Sequence, residues 1–366
     1  MFLSPSELTL GEAFVYGDFD IEGDIEAAFE LVDFLLARNL PVTDKLRLSG
    51  MLMKLPARTR ISRRTGPAEV SGEVHSRERD RSAIRYHYDL PEKFFSLWLD
   101  REMVYSCAYF KSPSDDLDTA QTQKLDYICR KLRLQRGDHL LDIGCGWGGL
   151  LRHAAKHYGV QAFGITLSAS QADVARDRIR QAGLADRCKV EICDYRDLDP
   201  PQQYDKIVSV GMFEHVGEAL LPEYFQLAYT LLRPGGVFLN HGIAVSACFE
   251  RKGSSFIDKY VFPDGELLPL NASLRAAEAS GFEVRDVENL REHYALTLHH
   301  WVSRLESNME TARAIVDDLT YRVWRLYMAG SAHWFSTGRI NLCHVLFSKP
   351  NHGNCGLPLT REDWYV

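Results

Sequence analysis

The 366 residues are 45% hydrophobic and 25% charged, with a formal net charge of −7. That is a globular composition, in a chain long enough for one α/β domain of ordinary size plus a smaller unit. The acidic balance argues against a nucleic-acid partner, and with no uninterrupted apolar run of about 18 residues no membrane-spanning helix is expected.

The first residues, with Glu7 and Glu12, lack the basic and then apolar regions of a signal peptide. Eight cysteines without a C-x-x-C spacing read as free thiols in a reducing cytosol. Residues 22–38 predict an amphipathic helix, because Ile25, Phe29, Val32, Leu35 and Leu36 recur at helical spacing. A second helical piece near 44–55 runs into a basic, proline-broken stretch, 56–67. Between Lys45 and Arg85 eleven Lys and Arg stand against four Asp and Glu, so the remainder is markedly acidic. The basic stretch is either a solvated charged face or a patch for anionic lipid headgroups, where each basic side chain contributes about 1 kcal/mol. Residues 66–74 read as a linker, which makes 1–74 a small, mainly helical N-terminal domain.

Residues 83–99 are dense in rings, with six of seventeen positions Tyr, Phe, Trp or His. Residues 103–110, a loop with Pro113 and a helix over 117–133 lead to the pivot of the chain, Asp138-His-Leu-Leu-Asp-Ile-Gly-Cys-Gly-Trp-Gly-Gly149. Leu140, Leu141 and Ile143 are strand material, the glycines tolerate φ > 0 and close approach to a ligand, and 150–156 continues as a helix. Strand, glycine turn and helix make a nucleotide-binding crevice in an open sheet. The dinucleotide fingerprint also wants an acid about 20 positions on, yet the second strand ends in Thr166-Leu167-Ser168, with Gln171 following. The acid, Asp142, stands ahead of the glycines instead. This arrangement resembles the first motif of S-adenosylmethionine-dependent methyltransferases.

The alternation then continues as in a doubly wound sheet: helix 149–158, strand 160–165, helix 169–181, strand 188–192, strand 204–210, helix 219–232 and strand 237–241 after the Pro-Gly-Gly turn. An insertion, 248–270, reads as part of a substrate lid. Strand 282–288, helix 294–306, a Trp- and Tyr-bearing helix 310–330 and a strand near 340–347 complete a catalytic domain, 75–349. The tail 350–366 should be irregular. The fold class expected is α/β, a methyltransferase-type Rossmann sheet with the helical N-terminal domain in front.

Gly144, Gly146 and Gly148 would bring main-chain N–H groups to the cofactor's methionine end and ribose, residues 166–171 would face the ribose, and Asp194 and Tyr195 would meet the adenine. For the acceptor, three polar residues stand in apolar company: Cys107, Glu214 and His241. Glu214 and His241 follow strands four and five, so a carboxylate can orient an imidazole base there. Each has a plain alternative, respectively an inert buried thiol, an acid at a helix N-terminus and a core histidine. No metal site is expected, since His299 and His300 are adjacent and face different sides of a helix, and His215 supports the Glu214 loop or packs.

Six ordered stretches together resemble the cyclopropane-fatty-acyl-phospholipid synthase family, which includes the mycolic acid cyclopropane synthases. They are Tyr105-Ser-Cys-Ala-Tyr, Leu141-Asp-Ile-Gly-Cys-Gly-Trp-Gly, Ile165-Thr-Leu-Ser-x-x-Gln, Gly211-Met-Phe-Glu-His-Val-Gly, His241-Gly-Ile and Phe256-Ile-Asp-Lys-Tyr-Val-Phe-Pro. The likeness runs from about residue 80 to 349. It implies methyl transfer from S-adenosylmethionine to a cis double bond of an acyl chain, a carbocation, and its deprotonation by bound bicarbonate to a cyclopropane. It assigns the bicarbonate to Cys107, Glu214, His241, the Ile243 backbone and Tyr294. To the cofactor set it adds Tyr105, Ser106, Asp142, Trp147, Leu167 and Ser168. Aromatic faces such as Tyr109, Phe110 and Tyr260 would stabilise the cation.

The resemblance further implies phospholipid acyl chains as substrate at a membrane surface, residues 1–74 touching the bilayer from the cytoplasmic side, and a homodimer. Phe110 replaces a common Trp, and Ser331 stands where relatives often carry a cysteine. A relative that reduces or otherwise deprotonates the cation gives a methyl-branched or methylene chain with the same motifs. A small-molecule O- or N-methyltransferase and a non-enzymatic lipid binder are rival classes.

Overall fold

The computed structural model describes residues 6–37, 70–198, 203–247 and 255–365, together with Thr43, Arg47 and Gly50. The expected helix near 44–55 and the basic stretch 56–67 lie outside these residues, apart from Arg47 and Gly50.

An eight-stranded sheet forms the centre: β1 (His139–Ile143), β2 (Gln161–Thr166), β3 (Cys188–Ile192), β4 (Tyr204–Val210), β5 (Leu232–Val245), β6 (Leu268–Pro269), β7 (Glu283–Asn289) and β8 (Ile340–Ser348). The order is β3-β2-β1-β4-β5-β8-β7, with β6 paired to β5. All neighbours are parallel except the β5–β8 and β8–β7 pairs. This is the doubly wound, methyltransferase-like α/β fold.

Leu140 and Leu141 show why the sheet is covered on both faces, because consecutive strand side chains point opposite ways. Leu140 packs with Val208, Leu239 and the helices Leu117–Lys131, Gly149–Tyr158 and Ala169–Gln181. Leu141 packs with Ile165, Ile207 and Phe238, against the helices Leu221–Leu231 and Leu270–Ala279.

A third, aromatic-rich cluster includes Trp98, Tyr294, Trp301, Trp324 and Phe335. Among the described residues of the N-terminal region, apolar ones join it. Phe14, Val15 and Ile25, from the helices Glu7–Val15 and Ile25–Ala37, are buried in this same cluster. The first helix was not anticipated, although its signal was present: Ser6 caps it and Thr9 returns the bond.

The span read as one helix over 310–330 is two, Met309–Ile315 and Asp318–Ser336. Asp317 accepts from Thr320 N–H at 2.7 Å and starts the second afresh. Strand five is longer than expected because β8 pairs with it from Val237 to Val245, while residues 233–236 loop out opposite β4. Of the insertion, residues 255–270 are described and include a short helix, Phe256–Tyr260. Lys259 pairs with Glu12 at 2.7 Å and the Tyr260 and Tyr16 hydroxyls lie 3.1 Å apart, so the first helix braces the insertion. Among the described residues no helix is long and apolar enough to cross a membrane.

Gly164, in the middle of β2, leaves no room for a side chain. A Cβ there would lie 2.5 Å from Leu151 Cδ1 and 2.7 Å from Cys145 Cβ. Gly164→Ala should cost about 1–3 kcal/mol through overpacking, read as a lower urea midpoint. An unchanged midpoint would contradict this packing.

Candidate active site

The ends of β1, β2, β3 and β4 frame a cavity lined by Asp142, Gly144, Gly146, Trp147, Thr166, Leu167, Gln171, Asp194 and Tyr195, with Tyr105 and Ser106 from the 103–110 segment. Parallel strands end together on one side of the sheet, so motifs far apart in sequence converge there. Gly146, at φ 53°, has nothing within 4 Å of where a Cβ would stand, so it opens onto the cavity.

The other glycines act differently from expectation. Gly144 N–H donates to Ile165 O at 3.0 Å and Gly148 N–H to Cys145 O at 2.9 Å, so neither amide is left for a ligand. Gly144 instead makes room for Met212, and Gly148 for Ala175. Gly148 and Ser168 do not line the cavity. Ser168 caps the helix Ala169–Gln181 by accepting from Gln171 N–H. Thr166 Oγ1 donates to Gln171 Oε1 at 2.9 Å and fixes that amide at the rim. Burial alone would raise the Asp194 carboxyl, but the Arg196 guanidinium at 2.6 Å holds it below the usual range.

Lys124 escaped the sequence reading. It is almost wholly buried on the helix Leu117–Lys131, lines the cofactor cavity and donates to Ser106 Oγ at 2.7 Å. Burial pulls its ammonium down to about 8, against the carboxylates of Asp100 and Asp142. Asp142 is pushed up to about 7 by burial, Lys124 opposing, and its Oδ1 has no partner among the described residues. The signal was helical: Gln121, Lys124, Ile128 and Lys131 recur at three, four and three and are all buried.

A second cavity adjoins the first and is mostly apolar, with Ile243, Val245, Leu298, Tyr327, Phe335 and Leu342 among its lining. Tyr88, Tyr105, Ser106, Gly211 and His215 line both cavities and form the junction. Glu214, His241, Ile243 and Tyr294 line the second one, so four of the five residues assigned to the acceptor site converge.

Cys107 does not line it. Its thiol, pushed well up by burial, faces the carbonyls of Ala108 and Leu290. The expected Glu214–His241 contact is also replaced. Glu214 Oε1 accepts from Ile243 N–H at 2.8 Å, while His241 Nδ1 lies 2.7 Å from His344 Nε2. The Ile243 amide is thus committed to a carboxyl. Glu214 is raised to about 7 by burial, against the Ile243 N–H, and its Oε2 is buried without a partner among the described residues.

The proposed cation-facing rings lie elsewhere. Tyr109 stacks between Tyr127 and His293, Phe110 stacks on His300, and Tyr260 bonds Tyr16. The aromatic residues that line both cavities are Tyr88, Tyr105 and His215, the last against Phe262.

The family model for mycolic acid cyclopropane synthetase matches residues 75–345. A protein of Pseudomonas putida named as a probable fatty acid methyltransferase is 46% identical over 366 residues, covering 99% of this chain and 87% of that one. The cyclopropane-fatty-acyl-phospholipid synthase of Escherichia coli is 35% identical over 305 residues, 83% of this chain and 77% of that one. Among solved structures, mycolic acid cyclopropane synthase CmaA1 complexed with SAH and CTAB superposes with a TM-score of 0.69 at 34% identity, covering 73% of this chain and 97% of that one.

Asp142 and Glu214 keep protons up to about 7 in the folded chain that an unfolded chain releases at roughly 4. The folded form therefore binds more protons across that window, and these two groups make stability fall as pH rises through it. Glu214→Gln removes one of them. Its unfolding free energy relative to the parent should improve between pH 5 and pH 7.5 in urea titrations, and a difference independent of pH would contradict the burial argument.

Proposed function

We propose, for a chain that belongs to the mycolic acid cyclopropane synthetase family and is an S-adenosylmethionine-dependent methyltransferase acting on lipid, that the acceptor is a cis double bond in a phospholipid acyl chain and the product a cyclopropane. The observation that carries this reading is the junction, where a mostly apolar slot, the second cavity, adjoins the cofactor cavity and shares Tyr88, Tyr105, Ser106, Gly211 and His215 with it.

The bound cofactor supplies an electrophilic methyl on a cationic sulfur. An alkene is a neutral, weak nucleophile with no proton to lose beforehand, so the protein must aim it and exclude water. Ile243, Val245, Leu298 and Leu342 give the slot the apolar wall an acyl chain needs. Tyr88 and Tyr105 line both cavities, so theirs are the aromatic groups available to stabilise positive charge on the former alkene carbons. As the methyl–sulfur bond breaks, one new C–C bond forms. Loss of a proton from the added methyl then leaves the electron pair that closes the ring.

The polar residues of the second cavity suit a small anion: His241, Tyr294 and a Glu214 carboxyl that burial keeps protonated up to about 7. Bicarbonate held there would supply the base. Ile243 contributes through Glu214, whose Oε1 its amide holds. We place the enzyme at the cytoplasmic membrane face with residues 1–74 as the lipid-contact unit, a reading supported by the seven Lys and Arg against two Asp and Glu between residues 45 and 74.

A second reading has one observation in its favour, the 46% identity to a relative named for fatty acid methyl transfer. The same cation, resolved otherwise, gives a methyl-branched or methylene chain. Fragmentation mass spectrometry of the product separates a ring from a branch.

Incubated with S-adenosylmethionine and vesicles of cis-unsaturated phospholipid, the protein should yield acyl chains heavier by one CH₂ and without the alkene, and saturated vesicles should be inert. Methylation of polar small molecules with no lipid product would sink the reading. Glu214→Gln or His241→Gln should lower turnover by roughly tenfold or more while S-adenosylhomocysteine affinity changes little. Parallel loss of that affinity would make these residues structural.

A further inference from the structure

Behind the acceptor cavity His241 has a partner that its own motif does not announce. β5 and β8 run antiparallel with His241 directly opposite His344, so both side chains leave the same face of the sheet. His241 Nδ1 and His344 Nε2 lie 2.7 Å apart, with ring centroids at 4.8 Å. His344 is fully buried and His241 almost so, and only His241 lines the cavity. Nδ1 is therefore its rear nitrogen, and Nε2 is the one left for a ligand.

Burial holds both imidazoles well below their usual range, and Lys124 and Lys131 add to this. The rings are thus both neutral, and a single proton lies between them: one nitrogen donates and the other accepts. The remaining nitrogen of His344 decides which. Nδ1 is buried with no partner among the described residues. The groups that could serve it are occupied or turned aside: Tyr127 presents its ring to His344 at 6.1 Å and gives its hydroxyl to Glu288, Lys131 pairs with Glu288, and His293 accepts from Phe110 N–H. If His241 donated, His344 would carry a proton on that orphaned Nδ1. If His344 donates, Nδ1 is a bare lone pair. Buried N–H groups without partners are rarer than under-satisfied acceptors, and the bond made by one ring nitrogen sets the state of the other.

We infer that His344 is a positioning residue: it donates its Nε2–H to His241 and so obliges His241 to present an N–H, and no lone pair, to the acceptor cavity. This rests on the reading of that cavity as the place where the new methyl loses its proton. His241 then holds an anion or carboxyl oxygen by donating to it, and the base must be another group. The pairing resembles the outer-shell partners that fix histidine tautomers in other sites.

The test uses the full chain labelled with ¹⁵N-histidine. Two-bond correlations should identify His241 as the Nε2–H tautomer in the parent, and that signature should be lost in His344→Phe. With unsaturated phospholipid vesicles, His344→Phe should lose roughly tenfold or more in kcat at unchanged KM and S-adenosylhomocysteine affinity. His344→Gln, whose amide can donate to the same Nδ1, should recover most of it.

An Nδ1–H tautomer for His241 in the parent would overturn the inference, even if His344→Phe failed to fold. So would His344→Phe turning over within about twofold of the parent. His241→Gln separates the two levels of the argument. If it is crippled while His344→Phe is not, only the positioning role fails; if it is fully active, the reading of the cavity fails with it.

Discussion

A charged electrophile has to meet a neutral, greasy acceptor where bulk water does not reach. In this chain that requirement falls on one short turn, Tyr105-Ser106, whose side chains line both the cofactor cavity and the apolar slot. The turn belongs to no helix or strand, so buried side chains from elsewhere must hold it. Gln121 donates to the carbonyls of Val104 and Ser106, Lys124 to Ser106 Oγ, and Thr297 Oγ1 accepts from Ala108 N–H. Met103 enters the turn at φ 58°, a conformation that a non-glycine side chain adopts only when its surroundings impose it.

The same logic explains the buried charges. An unpaired ammonium in the interior would be costly, yet Lys124 sits beside Asp100 and Asp142 and serves Ser106. What it provides is a fixed polar anchor for the turn between the two cavities, at a cost in desolvation. Over the cofactor cavity, Asp80 from the helix Arg77–Tyr88 and Pro263 and Asp264 from the insertion close the top. Arg79 grips Asp264 with two hydrogen bonds, and Arg196 links Asp80 to Asp194. The helix Glu7–Val15 then supports the insertion from outside, with Gly11 against the Phe256 ring. Polar groups clamp the cofactor side, and apolar packing shapes the acyl side.

The sheet was legible because strands with glycine turns and amphipathic helices each carry a local period. Boundaries at 149–158, 169–181, 188–192 and 204–210 coincide with the structure. The cofactor cradle was legible too, because parallel strands bring their ends together whatever the loops do. Hydrogen-bond partners were not. That Gly144 and Gly148 spend their amides on Ile165 and Cys145, and that Glu214 takes the Ile243 amide, depends on how close loops come in space. Lys124 and His344 were passed over for a related reason: each lies within an apolar stripe, and only the buried partner reveals why a polar group is tolerated there. Tyr109, Phe110 and Tyr260 show the converse, since being aromatic near a motif says nothing of which way a ring faces.

The central claim is that cofactor and acyl chain meet at the wall shared by the two cavities. A crystal structure with S-adenosylhomocysteine and a phospholipid bearing a heavy-atom-labelled unsaturated chain tests it most directly. The account predicts the chain along Ile243, Leu298 and Leu342, its double bond next to the cofactor sulfur at Tyr105, with Glu214 and His241 beside it. A chain bound away from that slot, or a sulfur walled off from it by Tyr105 and Ser106, would contradict the account.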